Sequence, residues 1–313
     1  MDQIVISLLN GVIYGLLLFM VSAGLTLIFG MMGVLNFAHA SFYMLGAYFA
    51  YALQGTVGFW AAIVLAPLLV GLVGVVVERY FLRRVHHHGH AHELLLTFGL
   101  SFIIAELIKL FFGNFPVDYR VPQALDFAAF TIGAAQYPAY RLLMGAVAVA
   151  MFIVIYLLLT RTRVGIVVRS AIYKPRMAEA LGHNVPLVFM GVFGVGAALA
   201  GLAGAVAGAF YTTNPNMALE LGVMVFVVVV VGGLGSLGGA MLASILIGVI
   251  SSLAVGVDAS LADLLALLGM GDWAQGVGGL LTLKLSSLSA TIPFALMLLI
   301  LLVRPSGLMG EKA

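Results

Sequence analysis

Few side chains in this sequence can do chemistry, and those few stand in apolar surroundings. Glu106 and Lys109 lie inside the apolar stretch 93–113. Three residues apart, they share a helix face and can pair. A carboxylate at such depth can serve as a proton relay. Lys109 is near the end of its stretch, however, and can extend its ammonium to the interface, which favours a structural pair over a proton-coupling site without deciding between them. Asn36, His39, Ser41 and Tyr43 interrupt a second apolar region, GMMGVLNFAHASFYMLGAY over 30–48. Polar groups there are costly unless paired or wet, and lining a pathway and packing between helices both remain open. His39 and Ser41 come nearest to a catalytic dyad, yet at i and i+2 on a helix they face different sides. The tract HHHGHAH over 86–92 carries imidazoles that a metal could use. It follows Arg83 and Arg84 in a turn and has no rigid supporting shell, so no metal site is assigned to it.

The missing motifs are as informative. GGLGSLGG over 232–239 lacks the Lys and hydroxyl of a phosphate-binding loop, and no GxxxxGK[ST] occurs elsewhere. GxSxG, HExxH and paired acidic metal ligands are absent, so the chain offers no catalytic residues of its own. Without cysteine there is no disulfide framework and no thiolate chemistry. A net charge of +2 gives no reason to expect nucleic acid.

The elements that carry these residues follow from bulk hydrophobicity. Hydrophobic residues make up 63% of the 313, charged ones 8%, and the mean hydropathy is +1.19. A soluble domain carries about 25% charged residues, so most of this surface must face a lipid bilayer or other helices. One crossing takes about 20 apolar residues. The expected fold is all-α, a polytopic transmembrane helical bundle with about seven to nine crossings, forming one domain over 1–313. The apolar stretches fall near 4–29, 31–53, 59–82, 93–113, 139–160, 186–211, 221–256 and 288–303. Long continuous runs argue against an outer-membrane barrel, and strands are not expected. Asp2 and the lack of a basic run before the first stretch suggest a retained span rather than a cleaved signal peptide.

Two stretches are broken by glycine, near 30–42 and 232–239. The stretch 221–256 is too long for one span; Gly232, Gly233, Gly235, Gly238 and Gly239 divide it into two helices, or into one helix and a re-entrant half. Broken helices inside a membrane are tolerated only where buried or lining a cavity, and they mark transport sites in several transporter folds. The pathway candidates are therefore Asn36, His39, Ser41, Tyr43, Gly232, Gly233, Gly235 and Ser236. The run GAALAGLAGAVAG over 196–208 reads instead as tight helix packing.

Basic residues cluster at Arg79, Arg83 and Arg84, at Arg161, Arg163, Arg169, Lys174 and Arg176, and at Arg304 and Lys312. The positive-inside rule puts these regions in the cytoplasm. The segments 114–138 and 257–287, with Asp118, Asp126, Asp258, Asp263 and Asp272, fit the outside. The N-terminus is then outside, the C-terminus inside, and the number of crossings odd. The segment 161–186 is the largest cytoplasmic feature. Pro175 suits a first helical turn, the residues to Leu181 include good helix formers, and Gly182 suits a stop. This exposed hairpin is either a solvated linker or a docking element for a cytoplasmic partner.

The segment 8–48, LLNGVIYGLLLFMVSAGLTLIFGMMGVLNFAHASFYMLGAY, resembles the N-terminal signature of LivH-type permeases, the membrane subunits of branched-chain amino acid ABC importers. The segments at 93–113, 163–185 and 226–248 agree in order, so the resemblance covers nearly the whole chain. NFAHA and GGLGSLGGA belong to the wider family, which includes relatives thought to carry urea or other small solutes. The resemblance implies alternating access in the bacterial inner membrane. It also implies a homologous second permease, two cytoplasmic ATPase subunits that bind ATP and Mg, and a periplasmic solute-binding protein. It gives the hairpin a role, with Arg163, Gly165, Arg169, Ala178, Glu179 and Gly182 docking in a groove of the ATPase. A stand-alone proton-coupled secondary transporter, which would depend on Glu106, is the alternative.

Overall fold

The computed structural model describes residues 2–133, 135–256, 260–266 and 269–310. Asp258 and Lys312, two charges used in the topology argument, lie outside the described residues. The helices are α1 (Asp2–Met32), α2 (His39–Val57), α3 (Phe59–Val77), α4 (His90–Phe112), α5 (Ala139–Arg161), α6 (Arg163–Tyr173) and α7 (Pro175–Ala180). They continue with α8 (Val185–Ala207), α9 (Met217–Gly232), α10 (Leu237–Gly256), α11 (Leu261–Ala266), α12 (Gly271–Val277) and α13 (Ile292–Val303). Beyond α3 the chain stays helical through a π-turn at Glu78–Leu82 and on to His88. Among the described residues, six spans are long and apolar enough to cross a membrane, and α9 and α13 are shorter apolar helices. The stretch 221–256 is two helices, because Gly233 and Gly235 take positive φ and turn the chain back on itself.

Helix α8 is the centre of the bundle, with α1, α2 and α3 packed against it. Its glycines let backbones touch. A Cβ on Gly204 would fall on the Tyr43 carbonyl, and a Cβ on Gly46 would fall on the Gly201 backbone. The small-residue run at 196–208 is thus a packing seam. Lipid tails are as apolar as leucine, so membrane helices gain from close van der Waals fit rather than from apolar burial. Helices α1 and α10 meet through a second seam, where Gly11 and Gly15 lie on the backbone around Ser244 and Gly248.

The described members of the three basic clusters gather at one end of the bundle. Arg83 donates to the Pro186 carbonyl at 2.9 Å, and Arg169 and Arg304 share a cleft with Met31 at the end of α1. At the other end Tyr119 and Tyr140 donate to the carbonyls of Ala205 and Val206, at 2.7 and 2.6 Å. One feature there departs from the helix-only expectation. Strands β1 (Ala128–Ile132) and β2 (Ala135–Pro138) form an antiparallel hairpin. Its residues suit a strand: Phe130, Thr131 and Ile132 are aromatic or β-branched, Phe130 stacks on Tyr137, and Gly133 takes φ +58° at the turn.

Candidate functional site

The NFAHA segment builds a cavity. Helix α1 stops at Met32, Gly33 takes φ +68°, and the chain runs back along α1 before α2 begins. The return is long. His39 Nε2 donates to the Val21 carbonyl at 2.9 Å, and Val21 lies eleven residues before Met32. At 1.5 Å per residue this places the start of α2 about 16 Å inside the end of α1. The break near 30–42 is therefore the unwound part of a discontinuous span: α2 starts inside the bundle and runs on to the far end, where Phe59 meets Tyr119 and Tyr140. Its backbone is satisfied locally: the Ala38 N–H donates to Asn36 Oδ1 at 3.0 Å, and the Phe37 N–H donates to Thr97 Oγ1 at 3.2 Å.

The first turn of α2, with α1, α4 and α9, encloses a cavity of about 230 Å³. Asn36, His39 and Ser41 line it, and its walls include Leu25, Phe98, Phe102, Val225 and Phe226. All three polar side chains are at least 97% buried. Asn36 Nδ2, His39 Nδ1 and Ser41 Oγ have no hydrogen-bond partner among the described residues. Because Asn36 Oδ1 accepts from Ala38, its free atom is the donor NH₂. His39 donates through Nε2, so its free Nδ1 is an acceptor. An unmatched buried polar atom costs about 1–3 kcal/mol, and three of them line this one apolar cavity. The cavity opens between Phe37, Phe98, Leu219 and Val223, which are exposed on the side of the bundle.

Tyr43 does not join this site; it is buried in the α2–α8 seam. Gly232, Gly233, Gly235 and Ser236 do not join it either. They form the α9–α10 turn at the basic end, where Ser236 Oγ accepts from the Gly239 N–H at 3.1 Å. The C-terminal segment covers this turn. The Leu308 and Met309 N–H groups donate to the Val231 and Gly232 carbonyls at 2.8 and 3.0 Å, satisfying the end of α9. Nothing in the sequence pattern signalled that strap.

The hairpin between α5 and α8 is two helices, not one. Thr162 caps α6 through the Gly165 N–H, and a Cβ on Gly165 would strike the Leu158 and Leu159 carbonyls, so the turn out of α5 needs glycine. Helix α7 ends in a Schellman motif. The His183 N–H donates to the Ala178 carbonyl, the Gly182 N–H donates to Glu179, and Gly182 has φ +87°. Ala178 is buried against Ala171 and Val185, while Arg163, Arg169 and Glu179 are exposed. Val164, Ile166, Met177 and Leu181 present apolar surface among those charges.

Two buried carboxylates escaped sequence reasoning because each sits at the edge of an apolar stretch. Glu78 takes a bidentate pair from Arg83, at 3.2 and 2.9 Å. Glu93 holds His86 Nδ1 at 2.5 Å and His90 Nδ1 at 3.2 Å. The histidine tract is thus partly pinned rather than free. No metal-binding cluster of three ligands occurs among the described residues. Glu106 and Lys109 pair at 2.7 Å on the outer surface, with the Glu106 side chain 68% exposed.

A polytopic bundle with a discontinuous span beside a small cavity fits a membrane permease. The chain belongs to the family described as branched-chain amino acid transport system / permease component, whose profile matches residues 7–302. It is 27% identical to the high-affinity branched-chain amino acid transport system permease protein LivH of Salmonella typhimurium, over 97% of this chain and 95% of that one. It is 26% identical to the corresponding permease BraD of Pseudomonas aeruginosa, again over 97% and 95%. The probable permease LivH of Methanocaldococcus jannaschii is 26% identical over 96% of this chain and 91% of its own length. No solved structure matches.

Proposed function

We propose that this chain is the permease subunit of an ATP-driven importer for branched-chain or other apolar amino acids. Family membership supports the cargo, and so does the cavity, whose apolar walls suit an aliphatic side chain better than urea. The basic end faces the bacterial cytoplasm, as the positive-inside rule requires, with the N-terminus outside and the C-terminus inside. The chain acts as one transmembrane permease domain with 161–186 as its coupling element.

The observation that carries the ATP-driven reading is the hairpin. Its apolar residues Ile166, Met177 and Leu181 stand exposed on the same two short helices as the exposed Arg163, Arg169 and Arg176, at the end where nucleotide is available. The chain has no phosphate-binding loop. Two ATPase subunits therefore bind ATP and Mg and grip α6 and α7, and their closure moves the bundle between outward and inward access. A homologous second permease covers the lateral mouth of the cavity at Phe37, Leu219 and Val223, keeping lipid from the cargo. A periplasmic solute-binding protein delivers that cargo to the opposite end.

The proton-coupled alternative rests on Glu106, but that carboxylate is paired, exposed and absent from the cavity lining. Cross-linking provides the test. In the assembled transporter a cysteine at Glu179 or Leu181 should capture an ATPase subunit, while one at Leu110 should not. Capture at neither hairpin position would refute the docking role.

A further inference from the structure

We propose that the first turn of α2, with Asn36 Nδ2 and Ser41 Oγ, is a carboxylate subsite that holds the main-chain end of the transported amino acid. The proposal rests on the amino-acid reading above and assigns the atoms that recognise the cargo.

Three observations converge on an anion. The start of a helix carries the positive end of its dipole. The Ala38, His39, Ser41 and Phe42 N–H groups are bonded within this turn, so the dipole and not free amides is what it offers. Here that end lies deep within the bundle, and no acidic residue stands in the first turn of α2. The residues lining the cavity include no Asp or Glu to neutralise it. The second observation is independent of the helix. Asn36, 3% exposed, has its amide NH₂ unpartnered, and Ser41, 1% exposed, has a free hydroxyl. Both line the same cavity and both can donate. The third is positional: His39, bonded to Val21, and Thr97, bonded to the Phe37 N–H, tie down both sides of this turn. The subsite is thus fixed before the ligand arrives. Neutral donors and a helix end can hold a carboxylate reversibly without the deep trap of a buried arginine, which suits a site that must release its cargo. The Leu25, Phe98, Phe102 and Phe226 walls then receive the side chain.

The test uses the assembled transporter in lipid nanodiscs and saturation-transfer NMR with four probes: leucine, 4-methylpentanoate, leucinamide and isopentylamine. Leucine and 4-methylpentanoate, which carry the carboxylate, should show contact; leucinamide and isopentylamine should bind at least tenfold more weakly. A hydrogen bond to a charged group contributes about 1.5–3 kcal/mol, so Ser41→Ala should weaken leucine at least tenfold and Ser41→Thr should restore it. Asn36→Asp keeps the oxygen that caps Ala38 and should abolish carboxylate binding. Equal binding of leucinamide and leucine, or full leucine affinity in Ser41→Ala and Asn36→Asp, would overturn the subsite. Failure of the function reading looks different: no amino acid is transported, yet 4-methylpentanoate still binds and still depends on Ser41.

Discussion

Replacing Gly182 with alanine isolates one backbone term in the hairpin. A Cβ at this position would meet nothing within 4 Å, so the substitution creates no clash. It removes no hydrogen bond either, because both bonds of the Schellman motif use backbone atoms. What remains is φ +87°, a left-handed conformation that costs an ordinary L-residue about 1–2 kcal/mol. Helix α7 has six residues and a single fully buried side chain, Ala178, so little else holds it. A penalty of that size should raise the open population of the hairpin about 5- to 30-fold. Hydrogen exchange followed by mass spectrometry reads this directly, and peptides covering 175–183 should lose protection by that factor while α8 peptides do not. Asparagine tolerates the left-handed region better than alanine and should recover part of the loss; valine should be worst. Unchanged protection in Gly182→Ala, or a flat series from asparagine to valine, would refute the assignment of Gly182 as a conformational stop. If the hairpin transmits ATPase motion, amino acid moved per ATP hydrolysed should fall in the same order.

Other expectations follow from the same geometry. Gly204→Ala drives a Cβ into the Tyr43 carbonyl, and backbone cannot yield, so about 1–3 kcal/mol of overpacking should appear as a lower midpoint in detergent unfolding. Arg83→Met leaves Glu78 buried and unpaired and should cost about 3–5 kcal/mol, whereas adding Glu78→Gln should recover most of it in a double-mutant cycle. Asp263 accepts from the Ser260 N–H and hydroxyl, bonds that hold its carboxyl below the usual carboxylate range. That contribution to α11 is complete above the unfolded carboxylate pKa of about 4 and is lost as pH falls through the lower folded value. Exchange protection of 261–266 should therefore persist at pH 5 and drop only in stronger acid; Ser260→Ala, which keeps the backbone N–H bond, should shrink the pH step, and Asp263→Asn should remove it.

Much of the fold was legible because membrane burial writes itself as long apolar runs. The stretches at 59–82, 93–113 and 139–160 each match a helix closely. Glycine-rich 196–208 was read correctly as a seam because only small side chains allow backbone contact. The two glycine breaks looked alike in sequence and proved different in space. Gly33 leads into an extended return along α1, while Gly233 and Gly235 make a tight turn between antiparallel helices. Glycine licenses both conformations, and long-range packing chooses between them. The roles of Glu78 and Glu93 were invisible for a related reason: a charge at the edge of an apolar run reads as exposed until its partners, Arg83, His86 and His90, are seen to enclose it. Asn36, His39 and Ser41 were found because polar atoms in an apolar region demand an explanation, although which of them would lack partners depends on packing with α1, α4 and α9.

The most direct test of the whole account is uptake of radiolabelled leucine into proteoliposomes, with and without the ATPase subunits, the second permease and the solute-binding protein. Uptake should need every component and internal-facing ATP, and should be indifferent to a proton gradient and to Glu106→Gln. Leucine accumulation by this chain alone, driven by a proton gradient and lost in Glu106→Gln, would contradict it.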